Sequence, residues 1–249
     1  MTTPSGSVLI TGAGRGLGRA LASGLATAGW DVAVLGRSRA DLEVTAELVR
    51  DAGQRCCVVE ADVTDRERVD AAVDTAIDTL GSLDGLVNNA GIQRLALATD
   101  LGEDDWDLVL NTNLKGPFLC MQAVARHLLQ KESGSIVNIA SVAGHIAVKE
   151  RAAYASSKAG LLMLTRVCAI EWAPRSVRVN AVSPTFLETD LGRLTLDHPG
   201  AREQIVDRIP MGRVAQPEDV VSAVRFLLDP VAAGFITGEV LTVDGGLRA

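Results

Sequence analysis

Residues 7–18 read SVLITGAGRGLG. Val8, Leu9 and Ile10 form a short apolar run with β-branched members, the pattern of a fully buried strand. Gly12, Gly14, Gly16 and Gly18 then crowd one turn, and Leu17, Ala20, Leu21 and Leu25 follow at helical spacing. A strand that enters a helix through such a turn leaves backbone N–H groups unpaired at the helix start, where the dipole also favours an anion. Glycine tolerates positive φ there and lets a phosphate approach without meeting a Cβ. The stretch therefore predicts a pyrophosphate site at the first strand-to-helix turn of a dinucleotide-binding sheet. Its spacing, T-G-x-x-x-G-x-G, differs from the usual G-x-G-x-x-G. By itself it leaves open a tight turn in some other α/β protein, and the rest of the chain decides.

Moving outward, strand-like runs recur at 31–35, 56–60, 84–88, 134–140, 176–182 and 239–243, with helical patterns at about 16–28, 41–52, 66–80, 103–130, 153–173 and 217–229. Such alternation implies right-handed βα crossovers and a parallel sheet covered on both faces. No repeat, low-complexity tract or linker interrupts it. The expected fold is a single α/β domain over residues 1–249, a Rossmann-type doubly wound fold with a seven-stranded parallel sheet. Residues 184–216, rich in Pro and Gly, break the rhythm and predict two short helices near 190–195 and 201–207. An excursion after a strand's carboxyl end is where such folds place a substrate lid, a passive surface loop being the alternative.

Composition narrows the function. The 249 residues are 47% hydrophobic and 22% charged, with net charge −7. That balance gives no electrostatic footprint for nucleic acid. No apolar run reaches the roughly 18 residues of a membrane span, and residues 1–6 lack the pattern of a signal peptide. Cys56, Cys57, Cys120 and Cys168 show no metal-type spacing and read as reduced thiols in or near the core. The expectation is a cytoplasmic protein with no metal, no nucleic acid and no membrane partner.

The second informative stretch is RAAYASSKAG, residues 151–160. Tyr154 and Lys158 lie four apart, on one helix face about one turn from each other. An ammonium beside a phenol favours phenolate, and tyrosine needs such help for acid–base work near neutrality. Tyr154 is the chain's one tyrosine, and Ser141 ends a strand at the sheet's carboxyl edge, where ligands of these folds bind.

Taken in order, TGAGRGLG at 11–18, Asp62-Val63, NNAG at 88–91, NTNLKG at 111–116, Ser141, Tyr154-Ala-Ser-Ser-Lys158, VRVNAVSP at 177–184 and ITGEVLTVDGG at 236–246 resemble the classical short-chain dehydrogenase/reductase family from end to end. The resemblance implies nicotinamide-dependent redox chemistry on a carbonyl or alcohol. It makes Asn113, Ser141, Tyr154 and Lys158 the catalytic set. Tyr154 would act as the acid/base, and Ser141 would hold the substrate oxygen. Lys158 would acidify Tyr154 and grip the nicotinamide ribose, while Asn113 would anchor a water beside Lys158. The implied cofactor contacts are Gly12, Gly14, Arg15, Gly16, Leu17, Gly18, Arg37, Ser38, Asp62, Val63, Asn89, Ala90, Gly91, Tyr154, Lys158, Pro184 and Thr189. Asn89 would also tie the fourth strand to its neighbours, and Asp62 reads equally as a turn residue before the third helix. Where relatives carry Pro-Gly, this chain has Pro184-Thr185.

At the end of VAVLGRS, residues 32–38, Gly36 stands where an NAD-preferring member places an aspartate, and Arg37 follows. A guanidinium matches a 2′-phosphate, so NADP(H) is expected over NAD(H), with Arg15 as a second basic contact. The expected substrate is a carbonyl or alcohol, of β-ketoacyl, polyol or sugar-acid type as the resemblance implies. Its pocket wall is expected at 92–95, 142–148 and 186–196, including Gln93, Arg94, His145 and Lys149. His127 and His198 have no partner readable from sequence. The apolar segment AGLLMLTRVCAI at 159–170 and the helix near 117–130 predict a homo-oligomer, dimeric through these helices and tetrameric through a second contact at 236–246. A non-catalytic nucleotide sensor or scaffold is the alternative from a different class.

Overall fold

Seven strands alternate with helices along the chain and assemble in the order β3-β2-β1-β4-β5-β6-β7, every pair parallel. The computed structural model describes residues 6–249. The strands are β1 (Gly6–Thr11), β2 (Trp30–Gly36), β3 (Cys56–Glu60), β4 (Gly85–Asn88), β5 (Gly134–Ile139), β6 (Val177–Pro184) and β7 (Val240–Val243). The order reverses between β1 and β4, and that switch point opens a crevice at the strands' carboxyl ends.

The near-continuous apolar runs follow from burial on both faces. Leu9, Leu35, Leu86, Ile136 and Val179 feed a core under α3 (Arg66–Leu80), α5 (Gly116–Lys131) and α6 (Ala152–Trp172). Their neighbours Val8, Ile10, Val34, Val87, Val137 and Val182 feed the other, under α1 (Gly16–Thr27), α2 (Arg39–Asp51) and α9 (Pro217–Leu228). Successive side chains take opposite faces, as the two-residue strand period requires.

One helix expected at 103–130 is interrupted. It becomes α4 (Glu103–Leu110), a π-helical stretch at Asn111–Lys115, and α5. The cause is Pro117, which has no N–H to give the Asn113 carbonyl four residues earlier and whose ring crowds it. The wider turn closes instead through Gly116 N–H to the Asn111 carbonyl.

A buried polar chain ties α6 to the sheet. Asn88 Nδ2 donates to Asn138 Oδ1 at 2.9 Å, and Asn138 Nδ2 donates to Thr165 Oγ1 at 2.9 Å. Such a chain fixes the rotation of α6 because a slip would strand buried polar atoms. That rotation aims Tyr154 and Lys158.

After β6 the excursion carries α7 (Asp190–Leu196) and α8 (Ala201–Val206). Leu187 and Ala215 pair across its neck, and Leu196, Ile205, Ile209 and Val214 give it a small core of its own. Among the described residues no helix is long and apolar enough to cross a membrane. All four cysteines are free thiols, three of them buried. His127, unpartnered in the sequence reading, reaches the turn before β4: its Nε2 accepts from Leu83 N–H at 3.3 Å and lies 3.2 Å from Ser82 Oγ.

Candidate active site

The glycine turn lies at the switch point and shapes one end of a cavity of about 720 Å³. Gly12 has φ +64°, and a Cβ there would stand 2.8 Å from the Ala90 Cα. A Cβ on Gly18 would stand 2.1 Å from the Gly12 carbonyl oxygen, so only glycine lets α1 start this close to β1. No side chain caps the N-terminus of α1 and no acid occupies its first turn. Its amides therefore face the cavity and suit an anion. Asn89 closes the turn from β4, donating from Nδ2 to the carbonyls of Thr11 at 3.0 Å and Gly12 at 3.2 Å.

All the residues named above as cofactor contacts line this one cavity. Arg15 and Arg37 are exposed at its rim. Ser38 is committed locally: its Oγ accepts from Asp41 N–H at 3.3 Å and caps α2. Asp62 serves its turn, with Oδ1 accepting from Thr64 N–H at 2.9 Å and Thr64 Oγ1 at 2.8 Å. The cap of α3 itself is Asp65. Val63 is buried against Gly116, where a Cβ would come within 2.8 Å of its Cγ2.

At the other end, Ser141, Tyr154 and Lys158 share a wall. Ser141 leaves β5 and its Oγ accepts from Ala143 N–H at 3.2 Å, which turns the hydroxyl hydrogen elsewhere. Lys158 is buried and donates to the Ile139 carbonyl at 2.7 Å. Burial pulls its pKa down to about 8. Burial also raises the Tyr154 phenol, and the groups that oppose the rise are the Ser141 hydroxyl and then the Arg151 charge. The Lys158 Nζ stands 5.8 Å from the Tyr154 ring centroid and donates to the Ile139 carbonyl of β5.

Asn113 lies behind this wall, fully buried and off the cavity surface. Its Oδ1 accepts from Ile92 N–H at 2.9 Å, and its Nδ2 donates to the Ile92 carbonyl at 2.8 Å and to Ser157 Oγ at 3.1 Å. The side chain thereby has both of its amide hydrogens taken. It braces the loop after β4 against α6.

The pocket wall expected from sequence is realised by Ile92, Gln93, Arg94, Val142, Ala143, Ile146, Val148 and much of 186–195, without His145 or Lys149. His145 turns its Nε2 to Ser183 Oγ at 3.0 Å. Burial, then Arg248 and Arg166, hold its pKa below the ordinary value against Asp244. Arg151 and Thr185, given no role in the sequence reading, also line the cavity. Arg151 is buried next to Tyr154, its guanidinium 6.0 Å from the Tyr154 ring centroid and 5.9 Å from that of Phe186. Thr185 is buried with an Oγ1 that has no hydrogen-bond partner among the described residues.

A nicotinamide dinucleotide suits this cavity: uncapped amides and a glycine cradle at one end, and at the other a buried ammonium and an unpaired hydroxyl. The comparisons agree. A family model described as Enoyl-(Acyl carrier protein) reductase matches residues 12–248. The 3-oxoacyl-[acyl-carrier-protein] reductase of Synechocystis sp. is 41% identical over 241 residues, covering 96% of this chain and 95% of its own. D-threitol dehydrogenase of Mycolicibacterium smegmatis is 41% identical over 239 residues, covering 96% and 91%. A crystal structure of a gluconate 5-dehydrogenase from Burkholderia cenocepacia J2315, in complex with NADP and tartrate, superposes with TM-score 0.94 at 37% identity over 98% of this chain and 96% of its own. With the ordered motifs from Gly12 to Gly246, these matches settle the family: the chain belongs to the classical short-chain dehydrogenases/reductases.

Proposed function

We propose that the protein interconverts a carbonyl compound and a secondary alcohol, with Tyr154 as acid and base. The observation that carries this reading is the convergence of Ser141, Tyr154 and Lys158 on the cavity that the glycine turn opens. The nicotinamide cofactor, when bound, supplies the hydride for reduction or accepts it in oxidation. The chain's own groups manage the oxygen. The Ser141 hydroxyl, held by Ala143 N–H, donates to the substrate oxygen, and Tyr154 delivers the proton that neutralises the charge growing there. In oxidation Tyr154 takes that proton back. Lys158 holds the nicotinamide ribose and supports the phenolate once Tyr154 has given up its proton. The Asn113 backbone carbonyl, which Pro117 cannot serve, is the group to hold a water beside Lys158. Residues 184–216 act as the substrate lid of one dinucleotide-binding domain, with Pro184, Thr185 and Thr189 against the nicotinamide. A non-catalytic sensor has no need of this proton-handling set.

NADP(H) is the preferred cofactor. Arg15 and Arg37 stand exposed at the rim without an acidic partner among the described residues, and Gly36 places no carboxylate at the end of β2. A 2′-phosphate would answer both charges. One observation favours NAD(H) instead: Asp41 lines the same rim and would repel that phosphate.

The protein is proposed to be a cytoplasmic homo-oligomer, in keeping with four free thiols. Met163, Val167 and Ile170 are exposed on α6 and Phe118 on α5, with Ile170 78% exposed. Val231 and Phe235, just before β7, project fully and suit a second contact of a dimer of dimers.

Three measurements test these readings. Tyr154→Phe keeps the ring and removes the proton donor, so turnover should fall by about 10²-fold or more while cofactor affinity holds. Near-normal turnover of the variant would refute the assigned acid. Wild-type kcat/KM should favour NADP(H) by about 10- to 100-fold, the worth of a bidentate charge-assisted pair, and Arg37→Asp should reverse the order. An advantage for NAD(H) in wild type would support Asp41 as the selector. Light scattering at micromolar concentration should give the mass of a dimer or tetramer, and a monodisperse monomer would contradict assembly.

A further inference from the structure

Arg151 lines the cavity at 7% exposure, yet no carboxylate among the described residues forms an ion pair with it. Arginine is almost never buried without a partner, because losing water costs more than neutral neighbours return. The partners present are neutral: the guanidinium donates to Gln93 Oε1 and Thr195 Oγ1. It has five N–H donors in a rigid fork, so two neutral oxygens leave most of the fork unanswered, and Glu150 acts on the charge through space without pairing with it. The nearest acid in sequence, Glu150, is partly exposed and stands 3.9 Å from Lys149. Arg94 shows the contrast. It also lines the cavity, but it pairs with Asp105 at 2.9 Å and sits half exposed.

The fork is held rather than loose. Gln93 is buried, and its Nε2 donates to the Leu191 carbonyl at 2.8 Å, which fixes the oxygen it offers Arg151. Residue 151 opens α6 and pairs with Ala96 across an isolated bridge. The rings of Tyr154 and Phe186 flank the guanidinium. A charge fixed in this way, unpaired and facing a ligand cavity beside the proposed acid, is complementary to an anion on the substrate.

We propose that Arg151, oriented by Gln93 and Thr195, binds a carboxylate of the substrate, so that the protein acts on short hydroxy acids and oxo acids in preference to neutral polyols or carrier-bound thioesters. The inference rests on the oxidoreductase reading above for the place of the reacting carbon. With the guanidinium 6.0 Å from the centre of the Tyr154 ring, carboxylate and reacting carbon belong to one short chain. A thioester or alditol brings no charge to this fork.

The test uses matched pairs that differ in the acid group: tartrate and threitol, gluconate and glucitol, acetoacetate and its methyl ester. Calorimetry on the wild-type protein loaded with NADP+ or NAD+ should show at least one acid binding about tenfold or more tightly than its neutral partner. In Arg151→Met that advantage should vanish while cofactor affinity, the check on folding, stays within about twofold. If that variant does not fold, the wild-type comparison decides alone. The inference is overturned if no acid outbinds its neutral partner, or if a cofactor-binding Arg151→Met keeps the advantage. Hydride transfer measured on the same pairs separates the two readings. Turnover of neutral members with no preference for acids sinks the carboxylate site alone. Tight acid binding with no turnover of any member sinks the oxidoreductase reading and leaves the carboxylate site standing.

Discussion

Two cations, Lys158 and Arg151, are buried in the wall of a ligand cavity with no carboxylate among the described residues paired to either. Lys158 has one carbonyl for company, and a single hydrogen bond to a charged group contributes roughly 1.5–3 kcal/mol. The effective cost of taking an ammonium out of water is several kcal/mol, so the site without ligands is under electrostatic tension. A lysine pKa held down to about 8 expresses that tension. In the reading proposed above, relief comes from what enters: the cofactor's ribose hydroxyls near Lys158, the substrate near Arg151, and phenolate at Tyr154 during turnover. Binding and catalysis draw on free energy that folding left unspent.

The sheet makes this arrangement possible. Parallel strands end together, so the glycine turn after β1, the NNAG turn after β4, Ser141 after β5 and Pro184 at the end of β6 meet at one edge. Helix α6 then sets the cations and the tyrosine along that edge, its rotation fixed by Asn138 and Thr165. The π-helical turn at Asn111–Lys115 brings the Asn113 amide against the Ile92 backbone, which steadies the loop leading to Gln93 and so to Arg151.

Much of this was legible in the chain. Runs such as Val8-Leu9-Ile10 and Val177 to Val182 read as strands and are buried, and glycines 12 and 18 are required by contacts that any Cβ would break. What escaped depends on distant residues. Arg151 was given no role in the sequence, and it becomes a buried group only because the 92–96 loop and Phe186 fold over it. Pro117 was visible inside the helix expected at 103–130, but the widened turn emerges only when α4 and α5 are seen to be continuous. The Tyr154-Lys158 spacing gave the shared face correctly. It could not show that Lys158 also reaches the Ile139 carbonyl, or that Ser141 and Arg151 act on the phenol as well.

The central claim is an uncompensated charge at Lys158 that ligands relieve. The chain has only four lysines, Lys115, Lys131, Lys149 and Lys158, so 13Cε-lysine NMR can follow each through a pH titration, with Lys158→Met identifying its signal. The account predicts a midpoint near 8 for Lys158 in the free protein, moving upward when the cofactor binds. A midpoint of about 10.4 in both states, the ordinary lysine value, would contradict it.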